Sequence, residues 1–483
     1  MNIDIRDLAL LAPELALIVT ALVFVLAAAW VQRSSLFAGL TVLAAVIAGV
    51  ASYLLLPADP ITGFDEMIVV DDYSQFFKVV IASALAVTTL LSVSRVDDER
   101  FRPAEYHALL LLAATGMMFA ASAIDLLTLY LGLELTTLCS YILVGITVEK
   151  PASNEAAIKY FLTGSFASAL LLYGIALTYG VTGGATDFVS ISRALSASGA
   201  GSSYILLAAI GLLGGGLAFK VAAVPFHAWA PDAYTGASAP VAAFLATASK
   251  AAGLAALGRV CIVAFQSESG VLSVVLSALA GLSIIAGSVI ALSQTDMKRL
   301  LAYSSIAHAG YALLGFIAGT TEGASATMTY TFLYVFMTLG AFGVVIALGE
   351  RGGRLSGFQG LAAQRPGMAA LMLLFLLSLT GIPPTAGFAA KFVVILSVIR
   401  AGNVTLAVVA VVCSVISAFV YLRVAVLMYM KEPTEPEPSA CPPEVSAALA
   451  VAALVTVIGG VLPGSLTSWA VAPDSVLTIM GVR

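Results

Sequence analysis

Nine charged side chains stand inside otherwise apolar stretches of this sequence: Glu14, Lys78, Glu134, Lys159, Lys220, Lys250, Arg259, Lys391 and Arg423. An ionised side chain at the centre of a membrane-crossing helix costs about 2.5–3.5 kcal/mol on insertion scales. Near a helix end the cost is small, because a long side chain can snorkel to the interface. Snorkelling is the expectation for Lys78, Arg259 and Arg423. Glu14 lies about a third of the way into the first apolar run, and its spacing leaves structural and functional readings open. Glu134, Lys159, Lys220, Lys250 and Lys391 lie deeper, and must face a bundle interior, a partner charge or water. Burial disfavours a lysine's charged form and a nearby carboxylate restores it, so a lysine between those influences can load and release a proton. Several such groups bridged by water would conduct protons. The competing reading is that they are buried ion-pair or hydrogen-bond anchors.

Two further stretches are polar where a membrane span would not be. Residues 219–237 read FKVAAVPFHAWAPDAYTGA and place Lys220, Pro225 and His227 in one segment; residues 295–308 read TDMKRLLAYSSIAH and put His308 well inside a helix. His227 is a proton-relay candidate or a cap on a broken helix. His308 is a relay candidate or a neutral core histidine bonded to a carbonyl. His107, at the mouth of the fourth span, is expected at the interface.

The elements that must hold these residues follow from composition. The chain has 483 residues, 60% hydrophobic and 10% charged, with mean hydropathy +1.04. A soluble domain carries roughly 25% charge, so the surface must face lipid. Apolar runs at 7–31, 35–56, 70–93, 105–123, 125–147, 154–181, 203–225, 238–263, 271–293, 300–319, 325–349, 367–400, 403–430 and 444–470 give an all-α polytopic membrane protein of about 14 transmembrane helices. The twelfth run is too long for one straight span and contains Gly381-Ile382-Pro383-Pro384; the seventh is interrupted at Val224-Pro225-Phe226-His227. Both read as helices broken in mid-membrane, which is tolerated only beside protein or a hydrated cavity. Spans four to eight and nine to thirteen then form two five-helix repeats with the break in the fourth helix of each. An odd repeat length makes the second inverted. The expected divisions are 1–103 for helices 1–3, 104–263 for the first repeat, 264–431 for the second, and 432–483 for a Pro-rich linker and helix 14.

Threading these spans puts Arg33, Arg95, Arg100, Arg102, Lys150, Lys298, Arg299, Arg351, Arg354, Arg365 and Lys431 on one side and Arg6, Arg193, Arg400 and Arg483 on the other, eleven against four. The rich side should be cytoplasmic, leaving both termini outside. No signal peptide is expected, since Asp4, Arg6 and Asp7 precede an uninterrupted first span. The segment Glu432–Pro443 should be an extended linker. Net charge −5 without a basic cluster argues against nucleic-acid binding. Cys139, Cys261, Cys413 and Cys441 are far apart, no paired metal-ligand spacing occurs, and no phosphate-binding G-x-x-x-x-G-K-[ST] is present. No cofactor or metal is therefore expected in this chain.

The motifs PFHAW, DMKRLLAYSSIAH and GIPPTAGFAAKF, in this order, resemble those of the antiporter-like, proton-translocating membrane subunits of respiratory complex I and multisubunit Na⁺/H⁺ antiporters. The resemblance covers roughly 120–420. Three features resemble the subunit N branch of bacterial NADH–quinone oxidoreductase: the turn APDAYTGA after His227, a lysine at 391 where the sister branch M has glutamate, and the lack of branch L's long C-terminal lateral helix. The resemblance implies that Glu134 pairs with and tunes Lys220, that Lys250 connects, and that Lys391 faces the outlet. It implies a hydrophilic axis including His227 and His308, with Lys159 a span-six lysine of less settled role. It also implies sister antiporter-like and small membrane subunits as partners in a bacterial plasma membrane, with NADH, FMN, iron–sulfur clusters and quinone held by other subunits. Redox energy released elsewhere would switch the Glu134–Lys220 pair and drive a proton through Lys250 to Lys391. The alternatives are a Na⁺/H⁺ antiporter subunit, a related ferredoxin- or deazaflavin-dependent complex, and a non-conducting scaffold.

Overall fold

Capping residues and prolines set where the helices of this chain begin. Pro13, Pro103, Pro151, Pro240, Pro366 and Pro443 all occupy a first helical turn, where a missing N–H leaves no bond unmade. Asp71, Asp125 and Asp296 accept hydrogen bonds from the first free amides of their helices. The computed structural model describes residues 5–464 except 58, 100, 199–202, 435 and 437–439.

Helices α1 (Ile5–Leu10) and α2 (Ala12–Ala27) fall in the first expected span and α3 (Ser34–Leu54) in the second. A short antiparallel hairpin of β1 (Ile61–Gly63) and β2 (Ile68–Val70) precedes α4 (Asp72–Asp98). Then come α5 (Pro103–Ser122), α6 (Leu126–Val144), α7 (Pro151–Val181), the loop helix α8 (Phe188–Ser198), α9 (Tyr204–Val221) and the short α10 (Trp229–Gly236). The eighth span is α11 (Ala239–Phe244), a π turn at Leu245–Ser249, α12 (Lys250–Arg259) and a second π turn at Val260–Ala264. It is followed by α13 (Ser269–Ala291), α14 (Met297–Leu313), α15 (Thr321–Ala347), the small α16 (Leu361–Gln364), α17 (Pro366–Thr380), α18 (Ala386–Arg400), α19 (Val404–Met430) and α20 (Pro443–Val461). Twelve of the described helices are long and apolar enough to cross a membrane. With α2 and the broken α17–α18 they account for all 14 expected spans. The hairpin and α8 are additions in the connections. The linker is free of helix in its described part up to Pro442, with Pro443 opening α20, and the end of the last expected span, 465–470, lies outside the described residues.

Burial separates the helices into rings. The eighth span is wholly buried, and the tenth and eleventh nearly so. Helices α2, α3, α7, α19 and α20 present Leu22, Leu43, Phe166, Phe419 and Leu454 outward, as lipid contact requires. Helix pairs α5–α6 and α13–α14 hold two of the most extensive contacts. Small residues allow them: a Cβ at Gly132 would stand 2.9 Å from the Gly116 carbonyl oxygen, and one at Gly287 2.5 Å from the Ala307 amide.

Both helix breaks are present. Helix α9 ends at Ala222 and α17 at Gly381, each in the left-handed region (φ 56° and 88°). The freed backbone groups find partners within the protein, as the apolar surroundings demand. At the first break Val224 N–H donates to Ser283 Oγ (2.8 Å) and Trp229 Nε1 to the Phe219 carbonyl (3.0 Å). At the second, Gly387 N–H donates to Ser378 Oγ (3.0 Å), while Lys391 Nζ and Ser414 Oγ donate to the Thr380 carbonyl (2.8 and 3.0 Å).

Three placements overturn expectations. Lys78 does not snorkel: it is fully buried against Glu14, Nζ to Oε1 2.7 Å. Arg259 is also fully buried, forked onto both oxygens of Asp71 at 2.8 Å with its guanidinium 4.7 Å from the Tyr73 ring centre. In both cases another segment brings a carboxylate to the cation, so a position near a helix end need not open to water. His107 is not interfacial but fully buried, with its ring 5.2 Å from that of Tyr106. Arg423 is half-buried and donates to the Leu292 and Gln294 carbonyls (2.8 and 2.7 Å), capping the end of α13.

Candidate functional site: a buried polar row

Glu134 sits in the middle of α6, α7 packs against α6, and α9 packs against α7. Lys220, on the last turn of α9 before the break, donates to Glu134 Oε1 (3.1 Å) and Thr137 Oγ1 (2.7 Å). Ser168 on α7 donates to the same Glu134 oxygen at 2.5 Å. Lys220 is 7% exposed and the Glu134 side chain 20%, so the carboxylate is the member of the pair nearer the bundle's edge. A charged pair buried with added hydroxyl partners is the arrangement in which both ions survive low dielectric. It also leaves the lysine dependent on one carboxylate.

Lys250 begins α12 immediately after the π turn. Its ammonium donates to the carbonyl and the hydroxyl of Ser305 (2.6 and 2.8 Å). Among the described residues it forms no ion pair. Lys220 and Lys250 lie on helices in close contact: a Cβ at Gly253 would stand 3.2 Å from the Lys220 carbonyl carbon. The π turn bears on this position as well. Thr247 Oγ1 donates to the Ala243 carbonyl (2.7 Å) and Tyr334 OH to the Ala246 carbonyl (3.0 Å), meeting acceptors in a widened turn.

Ser305 and His308 are one turn apart on α14. His308 is 3% exposed; its Nδ1 shares a 2.6 Å hydrogen bond with Tyr330 OH, and its ring stacks on Tyr334 with centroids 5.2 Å apart. Tyr311 lies on the next turn, 6.0 Å from His308 between ring centroids. The Lys391 ammonium sits 4.6 Å from the centre of the Tyr311 ring and is bonded to the Thr380 carbonyl and Ser414 Oγ (2.8 and 2.9 Å). Lys250, Ser305, His308, the tyrosines and Lys391 thus line a polar row on α12, α14, α15 and α18.

The structure does not bring every expected residue into this row. Lys159 is half-exposed on α7, bonded to Glu155 (2.6 Å) and near Asp232 (3.5 Å). His227 lies half-buried in the first break, with no hydrogen bond to Nδ1 among the described residues. The hydroxyl partners Thr137, Ser168, Ser305, Tyr330, Tyr334 and Ser414 were not singled out from the sequence. Thr137 follows Glu134 by three residues and Ser305 precedes His308 by three, a helical spacing that could have flagged them; the others have no local signal. Among the described residues no group of three or more His, Cys, Asp or Glu side chains could hold a metal ion.

The chain that carries this row is similar to known proteins. Residues 123–417, which contain the whole row, match the family described as NADH:quinone oxidoreductase/Mrp antiporter, transmembrane. The chain is 44% identical to NADH-quinone oxidoreductase subunit N of Desulfovibrio desulfuricans, covering 96% of each chain. It is 42% identical to subunit N 2 of Rhizobium meliloti, covering 93% and 94%. Among solved structures, a chain of Thermus thermophilus respiratory complex I with bound aureothin superposes with TM-score 0.81 at 34% identity, over 94% of this chain and 98% of that one. A chain of the Mrp complex from Dietzia sp. DQ12-45-1b shares the fold, with TM-score 0.85 at 22% identity over 97% of both. The chain belongs to the NADH:quinone oxidoreductase/Mrp antiporter transmembrane family, in its subunit N branch.

Proposed function

We propose that this subunit of NADH-quinone oxidoreductase translocates protons along the buried row. The observation that carries the reading is the Glu134–Lys220 pair, an ion pair at 3.1 Å beside a broken helix, packed against the helix on which Lys250 begins the row to Lys391. While Glu134 faces Lys220, the ammonium is held charged. When the carboxylate moves away, Lys220 loses its counter-charge and gives up its proton towards Lys250. Among the described residues Lys250 has only neutral oxygens of Ser305 as bonded partners, so it too favours passing a proton on. Ser305, His308 and Tyr330 offer hydroxyl and imidazole groups between Lys250 and Lys391, and water between them completes a relay. His227, in the break, is placed to organise such water near the first lysine.

The two helix breaks, after α9 and after α17, support a division at 1–103, 104–263, 264–431 and 432–483, with two inverted five-helix units each holding one break. The Lys and Arg asymmetry supports a bacterial inner-membrane subunit with both termini outside. Sister antiporter-like and small membrane subunits are the proposed neighbours, and they hold none of the row. NADH, FMN, iron–sulfur clusters and quinone belong to partner subunits on this reading. The test is Lys220→Ala in the assembled complex, scoring proton pumping and quinone reduction together. Pumping should fall well below the wild-type level; pumping at the wild-type level would overturn the proposal.

A further inference from the structure

The half of the seventh span beyond its break, α10, is eight residues long. A helix that short has little stability of its own, so its neighbours must fix its position. Four charged side chains do so. Lys298, on the first turn of α14, donates to the Thr235 and Ala237 carbonyls at the end of α10 (2.6 and 2.9 Å). A cation there satisfies orphan carbonyls and opposes the helix dipole. Its neighbour Arg299 donates to Asp232 of α10 at 3.0 Å, and Lys159 of α7 stands 3.5 Å from the other oxygen of Asp232. Asp296 caps α14 through the Arg299 amide (2.8 Å) and so fixes the turn that carries both cations.

We infer that Lys298, Arg299, Asp232 and Lys159 are positioning residues that clamp α10 to α14 and, through Lys159, to α7, and so join the first lysine site to the second. The connection is continuous. Lys220 lies on α9, α9 leads through residues 222–228 into α10, α10 is clamped to α14, and α14 carries Ser305, which holds Lys250. From Arg299 to Ser305 and His308 is six to nine residues, roughly 9–14 Å along a rigid helix. A displacement at the Glu134–Lys220 pair is therefore passed to Lys250 and His308 by a packed path whose hinge is the break. This gives Lys159 a part outside the proton row, in keeping with its half-exposed position. It also gives a physical use to the Asp-Met-Lys-Arg start of α14, which the proton path leaves unused. The clamp rests on the pumping reading for its purpose but not for its existence.

A polar cavity of about 250 Å³, lined by Arg95, Glu99, Lys150, Thr235, Ala237 and Lys298 among others, reaches the clamp. Amides of α10 would exchange with water once the clamp opens. The experiment uses the assembled complex with Asp232→Asn, Lys298→Met and the conservative Lys298→Arg, measuring hydrogen exchange over 229–237 and proton pumping. The first two variants should assemble, exchange about tenfold faster or more in that segment, and pump less; Lys298→Arg should stay near wild type in both. Unchanged exchange overturns the clamp. Faster exchange with undiminished pumping overturns its coupling role. Loss of assembly in both variants that Lys298→Arg does not share would make the contacts structural only, and also overturns it. Lys220→Ala separates the two proposals: if it pumps normally the pumping reading fails, while the exchange result still judges the clamp.

Discussion

At the scale of single residues, the buried charges divide by whether they can let go. Asp71 and Arg259 are held by two hydrogen bonds, full burial and an aromatic face, so neither can part without leaving a bare charge. Arg259→Ala should therefore destabilise the subunit by about 3–5 kcal/mol. The check is the amount of assembled complex on native gels, which Asp71→Ala in the same chain should partly restore by removing the orphaned carboxylate. Glu134 and Lys220 differ, because a single carboxylate oxygen is shared between Lys220 and Ser168. Ser168→Ala removes a hydrogen bond to a charged group, about 1.5–3 kcal/mol, from the paired form alone. It should leave assembly normal and lower pumping; wild-type pumping would show that Ser168 does not tune the pair. The sequence made the ions conspicuous because a charge in an apolar run is costly wherever it points. It hid their hydroxyl partners because serine and threonine in membrane helices so often bond their own chain. Thr115, Ser140 and Thr178 each donate to the carbonyl four residues back, and only packing separates these from Ser168 or Ser414. The same blindness produced the snorkelling reading of Lys78 and Arg259, whose carboxylates arrive from distant segments.

At the scale of elements, the row depends on helices approaching more closely than side chains usually permit. Gly253, one turn after Lys250, faces the end of α9, where a Cβ would meet Val221 Cγ1 at 2.9 Å and the Lys220 carbonyl carbon at 3.2 Å. Gly253→Val should push the eighth span from α9 and lengthen the step from Lys220 to Lys250. Overpacking of this kind costs about 1–3 kcal/mol. The expected result is an assembled complex with reduced pumping; pumping equal to wild type would mean that the close approach is dispensable. The breaks themselves were legible, since Pro225 and the Pro383–Pro384 pair cannot sit in a continuous helix. The π turns were not. Leu245–Ser249 is an ordinary helical sequence, and its widened backbone is met by Tyr334, 85 residues or more away in the chain. The hairpin before α4 was equally hidden, because three-residue strands carry too little alternation to register.

At the scale of the whole molecule, lipid exposure and charge placement jointly set how the bundle lies in the membrane. The described structure puts the first turn of α14, with Lys298 and Arg299, at the same end as the Arg95–Glu99–Lys150 cavity. The Arg400–Glu322 ion pair is formed at the ends of other helices, α18 and α15. This division follows the eleven-to-four asymmetry of Lys and Arg in the sequence, and on the proposed orientation the cavity end faces the cytoplasm. The chain offers its own reporter. Cys139 and Cys413 are buried and Cys261 is half-buried within the eighth span, so with Cys261 replaced by serine, Cys441, partly exposed in the linker before α20, is the reporter on the cation-rich side. In intact cells a membrane-impermeant maleimide should leave Cys441 unlabelled and should label a cysteine placed at Asp65, in the turn of the hairpin. In inverted membrane vesicles the pattern should reverse. Labelling of Cys441 from outside intact cells would invert the orientation.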